Sequence, residues 1–438
     1  MDHSLNRQPV IAADSTPIEK TGMSKKQLII GLDFGAAFTK VIIGDNRVRY
    51  AVPFDEAIDS DNRYLLPSIL EVNENNACAL SSGDESSSTT SNLKLPLLDK
   101  TYTDEDLLRI TAYLALVFRA SRDWLLTRYQ KRYGRTALSW SINAGLPIDD
   151  TEHTELADLY KRLLHTAWVI SVLPGPVTLN RVRQYISVDE NAFDAFPAVY
   201  RSRIIDKDRI ATFSGIIAQI CGYTHLNKGS GDLHMLIDIG AATFSIATFN
   251  IGAGEDDCAL YTCAAEPIGV CYLLKRRYEN LQLPDDDINL FRHIPDTHAF
   301  SQAHDLTDKE IKFADTLYSG DAGRQINKIL DVTKTQHRPD SSLWESGLPT
   351  FICGGGAHLE IIENIRHSFE NKSPPHKIHS VDLKVPDDLM LENLPDKSFD
   401  RLSVAYGLSF RSDEMTRYLD ENVMSDAEDI SELQGIPD

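Results

Sequence analysis

Residues 30–40 read IGLDFGAAFTK and residues 236–245 read LIDIGAATFS, so Asp33-Phe34-Gly35-Ala36-Ala37 and Asp238-Ile239-Gly240-Ala241-Ala242 repeat one pattern 205 positions apart. Each is a short apolar run, read as a buried strand, that ends on a carboxylate and turns through glycine and two alanines. One such turn is ordinarily only a turn. Two copies at one internal spacing limit the folds open to this chain and point to a shared ligand.

Glycine at such a turn lets backbone N–H groups come close to an anion where a Cβ would clash. The aspartate does not bind phosphate itself, but it can hold a hydrated divalent cation that bridges phosphates. Lys40 lies seven residues past Asp33 on the outgoing strand. The two-residue period of a strand lets it reach back to whatever the turn holds. Two such turns facing each other would clamp a polyphosphate. A third glycine turn, Gly354-Gly355-Gly356-Ala357, follows the strand PTFIC and precedes the helix HLEIIENIRHSF. A flat base or ribose can lie against such a backbone.

Around these motifs the chain alternates strands and helices. Residues 1–25 are polar, with Pro9 and Pro17, and read as a disordered leader. QLIIGL (27–32) and VIIGD (41–45) read as a hairpin that continues through Val48 and Tyr50. SSGDESSSTTSN (81–92) reads as a surface loop. A long amphipathic helix is expected from Thr103, with Asp106 completing a capping box, to a stop at Gly134. ALSWSINAGLPID reads as a strand and turn leading to a helix over 150–168, and RIATFSGIIAQICGYT as a helix closed by Gly222. RLSVAYGLSF reads as a closing helix, and residues 412–438, with nine acidic residues against the single Arg417, as a tail.

Composition sets the outer bounds. A chain of 438 residues exceeds one ordinary core, so two or three domains are expected. A net charge of −21 argues against nucleic acid and anionic membranes as partners, while leaving room for a local basic cleft. No apolar run reaches the length of a spanning helix, and the six cysteines form no zinc pattern, so free thiols in a reducing cytoplasm are expected.

The order strand–Asp-x-Gly–hairpin, strand–Asp-x-Gly–hairpin, strand–Gly-Gly-Gly–helix resembles the actin and heat-shock-chaperone ATPase superfamily. The three motifs are similar to its phosphate-1, phosphate-2 and adenosine segments, over roughly residues 27–411. IDIGAATFS resembles the chaperones' Asp-Leu-Gly-Gly-Gly-Thr-Phe-Asp, Lys40 matches the phosphate-contacting lysine of the actins, and EPIGVCYLLKRRYENL is similar to the chaperone segment after phosphate-2. The resemblance implies a two-lobed α/β actin-like ATPase fold, with duplicated mixed five-stranded sheets, flanking helices and a nucleotide cleft. The lobes would run over 26–225 and 226–411. It implies ATP and Mg²⁺ as ligands, with Asp33 and Asp238 toward the metal and Asp238 and Lys40 in catalytic roles. Gly35, Ala36, Ala37, Lys40, Gly240, Ala241, Ala242 and Thr243 would surround the phosphates, and Gly354, Gly355 and Gly356 the adenosine.

The departures are equally specific. Ala36 and Ala37 stand where the family usually has Ser or Thr, Ala241 and Ala242 where it has Gly, and Ser245 where the chaperones have a second Asp. At the connect-1 segment, where Glu or Gln commonly orients the attacking water, the aligned residues are Thr212, Phe213 and Ser214, with Glu190 upstream. The expectation is therefore slow hydrolysis. A peptide-binding domain, the carboxylate of a sugar kinase and the paired cysteines of an iron–sulphur activase are not found. Three functions remain: a nucleotide-dependent switch acting on a partner protein, a filament-forming actin relative that self-associates, and a scaffold that has lost hydrolysis.

Overall fold

The computed structural model describes residues 23–55, 62–81, 89–146, 154–187, 196–226, 233–251, 259–284, 297–372, 376–392 and 399–416. Its framework is mixed α/β and is built twice. Strands β1 (Lys25–Phe34), β2 (Phe38–Asp45) and β3 (Val48–Ala51) form an antiparallel meander, and β4 (Ala137–Leu146) and β5 (Ile210–Ser214) extend the sheet in parallel from β1. The second sheet repeats this. The meander is β6 (Leu233–Ile239), β7 (Phe244–Asn250) and β8 (Leu260–Glu266), and β9 (Leu348–Cys353) and β10 (Ile378–Ser380) are the parallel additions. In both sheets the order is third, second, first, fourth, fifth. The first sheet gains β11 (Leu389–Met390) outside β3 and Leu66–Pro67 beside β2, and a small three-stranded sheet lies apart.

Helices interleave at matching points. The first half carries α1 (Asp104–Arg128), α2 (Thr154–Val172) and α3 (Gly215–Leu226). The second carries α4 (Val270–Leu281), α5 (Thr316–Val332), α6 (Glu360–Glu370), α7 (Ser403–Leu408) and the short α8 (Ser412–Thr416). Strand periodicity sorts the side chains into three cores. Leu28, Ile30, Leu32 and Phe34 pack with α1 and α2 on one side of the first sheet, and Met235, Ile237 and Ile239 with α4 to α6 on one side of the second. Between the sheets, Ile42 and Ala51 share a single cluster with Ile217, Tyr223, Tyr406, Leu236 and Phe351. Helices α3 and α7 thus form a layer sandwiched by the two sheets.

That inner layer is packed backbone to backbone. A Cβ on Gly407 would lie 1.6 Å from the Ala218 carbonyl oxygen, one on Gly44 2.1 Å from that of Ser409, and one on Gly31 2.4 Å from that of Ala405. Asn143 of β4 fastens the end of α7, its Nδ2 donating to the Leu408 and Phe410 carbonyls at 2.9 and 2.7 Å.

The boundaries differ from the sequence reading in several places. The helix from Thr103 breaks at Tyr129 and resumes as Gln130–Tyr133 before Gly134, and the next helix runs on to Val172. Thr89–Thr90 of the expected loop pairs with Leu70–Glu71. Two further boundaries shape the inner layer. RIATFSGIIAQICGYT is not one helix: Ile210–Ser214 is β5, paired in parallel with β4, and α3 begins at Gly215. The strand is short and bears Ile210, Thr212 and Phe213, and Ser214 caps the helix by accepting from the Ile217 N–H at 3.1 Å. Gly222 does not end α3 but sits inside it, because Tyr406 and Gly407 press there: an added Cβ would lie 2.9 Å from Tyr406 Cδ1. At the other boundary, Ser412–Thr416, grouped by sequence with the acidic tail, forms α8. Met415 is buried, Glu414 pairs with His225 at 2.8 Å, and Ser412 donates to Asn143 Oδ1 at 2.9 Å. Residues 417–438, the leader over 1–22, the loop core 82–88, the start of the second expected helix (150–153) and Glu190 lie outside the described residues.

The capping box before α1 is present, with Thr103 accepting from the Asp106 N–H and Asp106 from the Thr103 N–H. Thr103→Ala should lower stability by about 1 kcal/mol, readable as a shift of the denaturant midpoint at unchanged slope.

Candidate functional site

The repeated turns fold alike. Gly35 N–H donates to the Phe38 carbonyl at 3.2 Å and Gly240 N–H to the Thr243 carbonyl at 2.9 Å. In register, Asp33 stands opposite Lys40 and Asp238 opposite Ser245. The turns are tight, and a Cβ on Gly35 would lie 2.5 Å from the Phe38 carbonyl oxygen. The glycine amides are thus used inside the turns.

What the turns present is set by how their carbonyls are held. Ser68 binds the first turn, its Oγ donating to the Gly35 carbonyl at 2.8 Å and its N–H to that of Ala37 at 2.9 Å. The start of α4 binds the second: the N–H groups of Gly269, Val270 and Cys271 donate to the carbonyls of Ala242, Gly240 and Ala241 at 3.1, 3.0 and 2.8 Å. In a trans peptide the following N–H points opposite to its carbonyl. The amides of Ala36, Ala241, Ala242 and Thr243 are therefore turned away from Ser68 and α4. Among the described residues, the N–H groups of Ala36, Ala37, Ala241 and Ala242 have no protein acceptor. The two turns also meet, because Ala241 of the second packs against the small cluster of Ala37 and Ile69, as does Phe38.

Charged groups converge on the same place. Lys40 pairs with Asp33 at 2.6 Å and also donates to the Phe38 carbonyl at 3.3 Å. Lys94 is buried beside them, with its Nζ 3.5 Å from the Gly145 carbonyl oxygen and 5.7 Å from the Phe34 ring centre. Burial pulls its amine down to about 8; Asp33 opposes that fall and Lys40 adds to it. The buried Tyr160 hydroxyl, which feels Asp33, has no hydrogen-bond partner among the described residues. Across the turns, burial pushes Asp238 up to about 6, with Asp33 and Asp400 adding to the rise and Lys40 and Gln219 opposing it.

Gln219 holds Asp238. Its Nε2 lies 3.2 Å from Asp238 Oδ2, 3.0 Å from Ser403 Oγ and 3.5 Å from Cys353 Sγ, so one amide from α3 touches β6, β9 and α7. Its buried Oε1 has no hydrogen-bond partner among the described residues. The third turn is built against the same carboxylate. Gly354 adopts φ +88°, the left-handed region that favours glycine, and a Cβ there would lie 2.3 Å from Asp238 Oδ1. Gly356 N–H donates to the Ile239 carbonyl at 2.9 Å. Arg401 runs past Gly355, and its guanidinium sits 5.2 Å from the Phe38 ring centre, reaching from the third turn to the first.

The structure therefore brings Asp33, Lys40, Asp238 and the three glycine turns to one place. Sequence reasoning missed Lys94, Gln219 and Arg401. Gln219 carried a usable signal as the one polar side chain inside GIIAQIC. Lys94, in the loop-like NLKLP, carried none. Thr212 and Ser214 stand on or at the end of β5, and Ser214 is occupied as the cap of α3. Among the described residues no cluster of three or more His, Cys, Asp or Glu side chains forms a metal cage. No protein-family model matches the chain, and no curated protein matches it in sequence.

Proposed function

We propose that this chain is a two-lobed, actin- and chaperone-like nucleotide switch that binds ATP with Mg²⁺ between its two sheets and acts on a partner protein. The observation that carries this reading is the meeting of the two repeated turns, with outward-facing amides on each and Asp33, Lys40, Lys94 and Asp238 around them. Outward amides and two lysines fit a polyphosphate. Asp33 and Asp238 would hold the cation, which when bound neutralises phosphate charge. Lys40, now paired with Asp33, would turn to the phosphate oxygens, and Gln219 would keep Asp238 aimed. Gly354, Gly355 and Gly356, with Arg401 beside them, offer the surface for the nucleoside. Burial, Asp33 and Asp400 raise the cost of ionising Asp238, and a bound cation would offset it.

Two further observations suit a cytoplasmic protein. The five described cysteines are free, and among the described residues no helix is long and apolar enough to cross a membrane.

Titration with a fluorescent ATP analogue, with Mg²⁺ and with chelator, tests the reading. Saturable binding that needs Mg²⁺ and is lost in Lys40→Met is expected, and no binding, or binding indifferent to Lys40, overturns it. Hydrolysis should be slow. Asp400, at the third turn, is paired with His358 at 2.8 Å, and the Gln219 amide is taken up by Asp238 and Ser403, whereas phosphoryl transfer depends on a group positioned to orient the water. A single-turnover rate below about one per minute is expected, against roughly ten per second for a median enzyme. Several turnovers per second, abolished by Asp238→Ala, would show that a water-orienting group is present.

A further inference from the structure

The end of the first sheet opposite its repeated turn is basic, on a chain whose net charge is −21. There β1 begins with Lys25 beside Ala137, β2 ends at Asp45, and the turn to β3 passes through Asn46 and Arg47. Lys26 and Arg132 share the one buried carboxylate of Asp45, each at 2.9 Å, and Tyr133 donates to it at 2.8 Å. Arg47, Lys131 and Arg135 are exposed and have no ion-pair partner among the described residues. At the margins the charge is balanced: Arg128 pairs with Glu392 at 2.6 Å, and Asp206 and Asp208 flank Lys207 and Arg209 in the chain. The excess rests on Lys26, Arg47, Lys131, Arg132 and Arg135.

Two segments outside the described residues join the structure at this end. Residues 1–22 lead into β1, and residues 417–438 follow α8. Helix α8 is seated close to the basic groups. Phe410, just before it, has the Arg49 guanidinium 3.4 Å from its ring centre, and Arg49 is two positions from Arg47. Glu414 of α8 pairs with His225 at the last turn of α3, 2.8 Å away. Charge separates the two segments. Residues 1–22 carry three carboxylates against two cations, whereas 417–438 carries seven against Arg417 alone. Even as a coil, a stretch of this length covers roughly 25 Å, so the basic end is within its reach.

A single exposed ion pair is weak and is screened by salt. Here the carboxylates are tethered beside their partners, which gives an effective concentration in the millimolar range, and several pairs can form together. Lys26 and Arg132 already hold one carboxylate and offer their remaining donors, while Arg47, Lys131 and Arg135 offer all of theirs. The candidate nucleotide site is left clear, because Lys25 lies eight residues along β1 from Asp33, roughly 26 Å away.

We infer that the acidic segment 417–438 folds back onto the basic end of the first sheet and masks that face from other polyanions. Zero-length carbodiimide coupling, which joins a carboxylate to a lysine amine only when the two touch, tests this on the full chain. At low salt, links from Asp420, Glu421, Asp426, Glu428, Asp429 and Glu432 should concentrate on Lys26 and Lys131. The exposed Lys100, before the start of α1 and one helix length from this end, and the exposed Lys309 of the second half should receive few. The links should fall at least about tenfold in 0.5 M NaCl. They should fall about threefold or more in Arg47→Gln with Arg135→Gln, which removes two charges and keeps every lysine. Both side chains are exposed, so this variant should melt as wild type does. A mixture of light and isotope-labelled chains assigns each link, and mixed-mass links would place the segment on a second copy and overturn the fold-back. Links spread evenly over the exposed lysines, links indifferent to salt and to the double variant, or no links from the segment would overturn it as well. None of these readouts uses a nucleotide, so they stand or fall separately from the nucleotide reading.

Discussion

Asp238→Asn should do two opposite things: weaken Mg²⁺-dependent ATP binding by at least about 10–100-fold, the loss that removing even an outer-shell partner of a cation site brings, and stabilise the ligand-free protein. The second effect follows from linkage. Burial first, then Asp33, raises the Asp238 carboxyl to about 6, against 3.8 as its ordinary value. Between those values the native state holds more protons than the unfolded chain, so stability falls as pH rises through that window. Above it the ionised group is a standing cost, on the order of 1–2 kcal/mol after allowance for its partial exposure. Asparagine keeps the shape and can still accept from Gln219, but carries no charge. Thermal melts at pH 7.5 should therefore show the variant more stable than wild type, and melts near pH 4 should show little difference. A variant less stable at both pH values, with Mg²⁺-dependent binding intact, would make Asp238 a structural cap and remove it from the site.

Gly407→Ala should be the most damaging glycine-to-alanine change among the described residues. Its Cβ would have to occupy space 1.6 Å from the Ala218 carbonyl oxygen, and the obstacle is helix backbone on α3, which cannot turn aside as a side chain can. Overpacking by a methyl group commonly costs about 1–3 kcal/mol. Here α7 must move bodily, which disturbs its seat on Gly31 and Gly44, so the loss should lie at or above the upper end of that range. Urea denaturation measures it. As an internal control, Gly323→Ala on α5, where an added Cβ meets nothing within 4 Å, should be neutral or stabilising. Equal midpoints for the two variants would mean that α7 is not packed as described.

How much of this was legible beforehand depended on whether a feature is local. The Asp-x-Gly turns, the hairpins, the capped helix from Thr103 and the glycine turn after β9 are each written in fewer than thirty consecutive residues, and all are present. The doubled strand order was legible only through the resemblance those motifs carried. The misreading at 210–226 arose because apolar residues run unbroken through strand and helix alike, so no change of period marks Gly215. Gly222 looked like a helix stop because glycine usually is one; its purpose is to admit α7, nearly two hundred positions away. Lys94 and Arg401 were invisible for a related reason. A buried amine and a spanning guanidinium acquire meaning only from what the fold sets beside them, and neither stands in a recognisable spacing.

The inner layer has a consequence for how the molecule holds together. Helix α3 comes from the first half of the chain, yet its Tyr223 ring lies 3.9 Å from Phe351 of the second sheet. Helix α7 comes from the second half, yet it is seated on Gly31 and Gly44 of the first sheet and fastened by Asn143. The halves have in effect exchanged helices. Severed between them, each fragment would bare the face of a sheet that its own helices do not cover. The duplication that the sequence announces so plainly is therefore one of pattern and not of independence: the two copies form a single cooperative unit, and a nick in the backbone between them would leave partners that still need each other to fold.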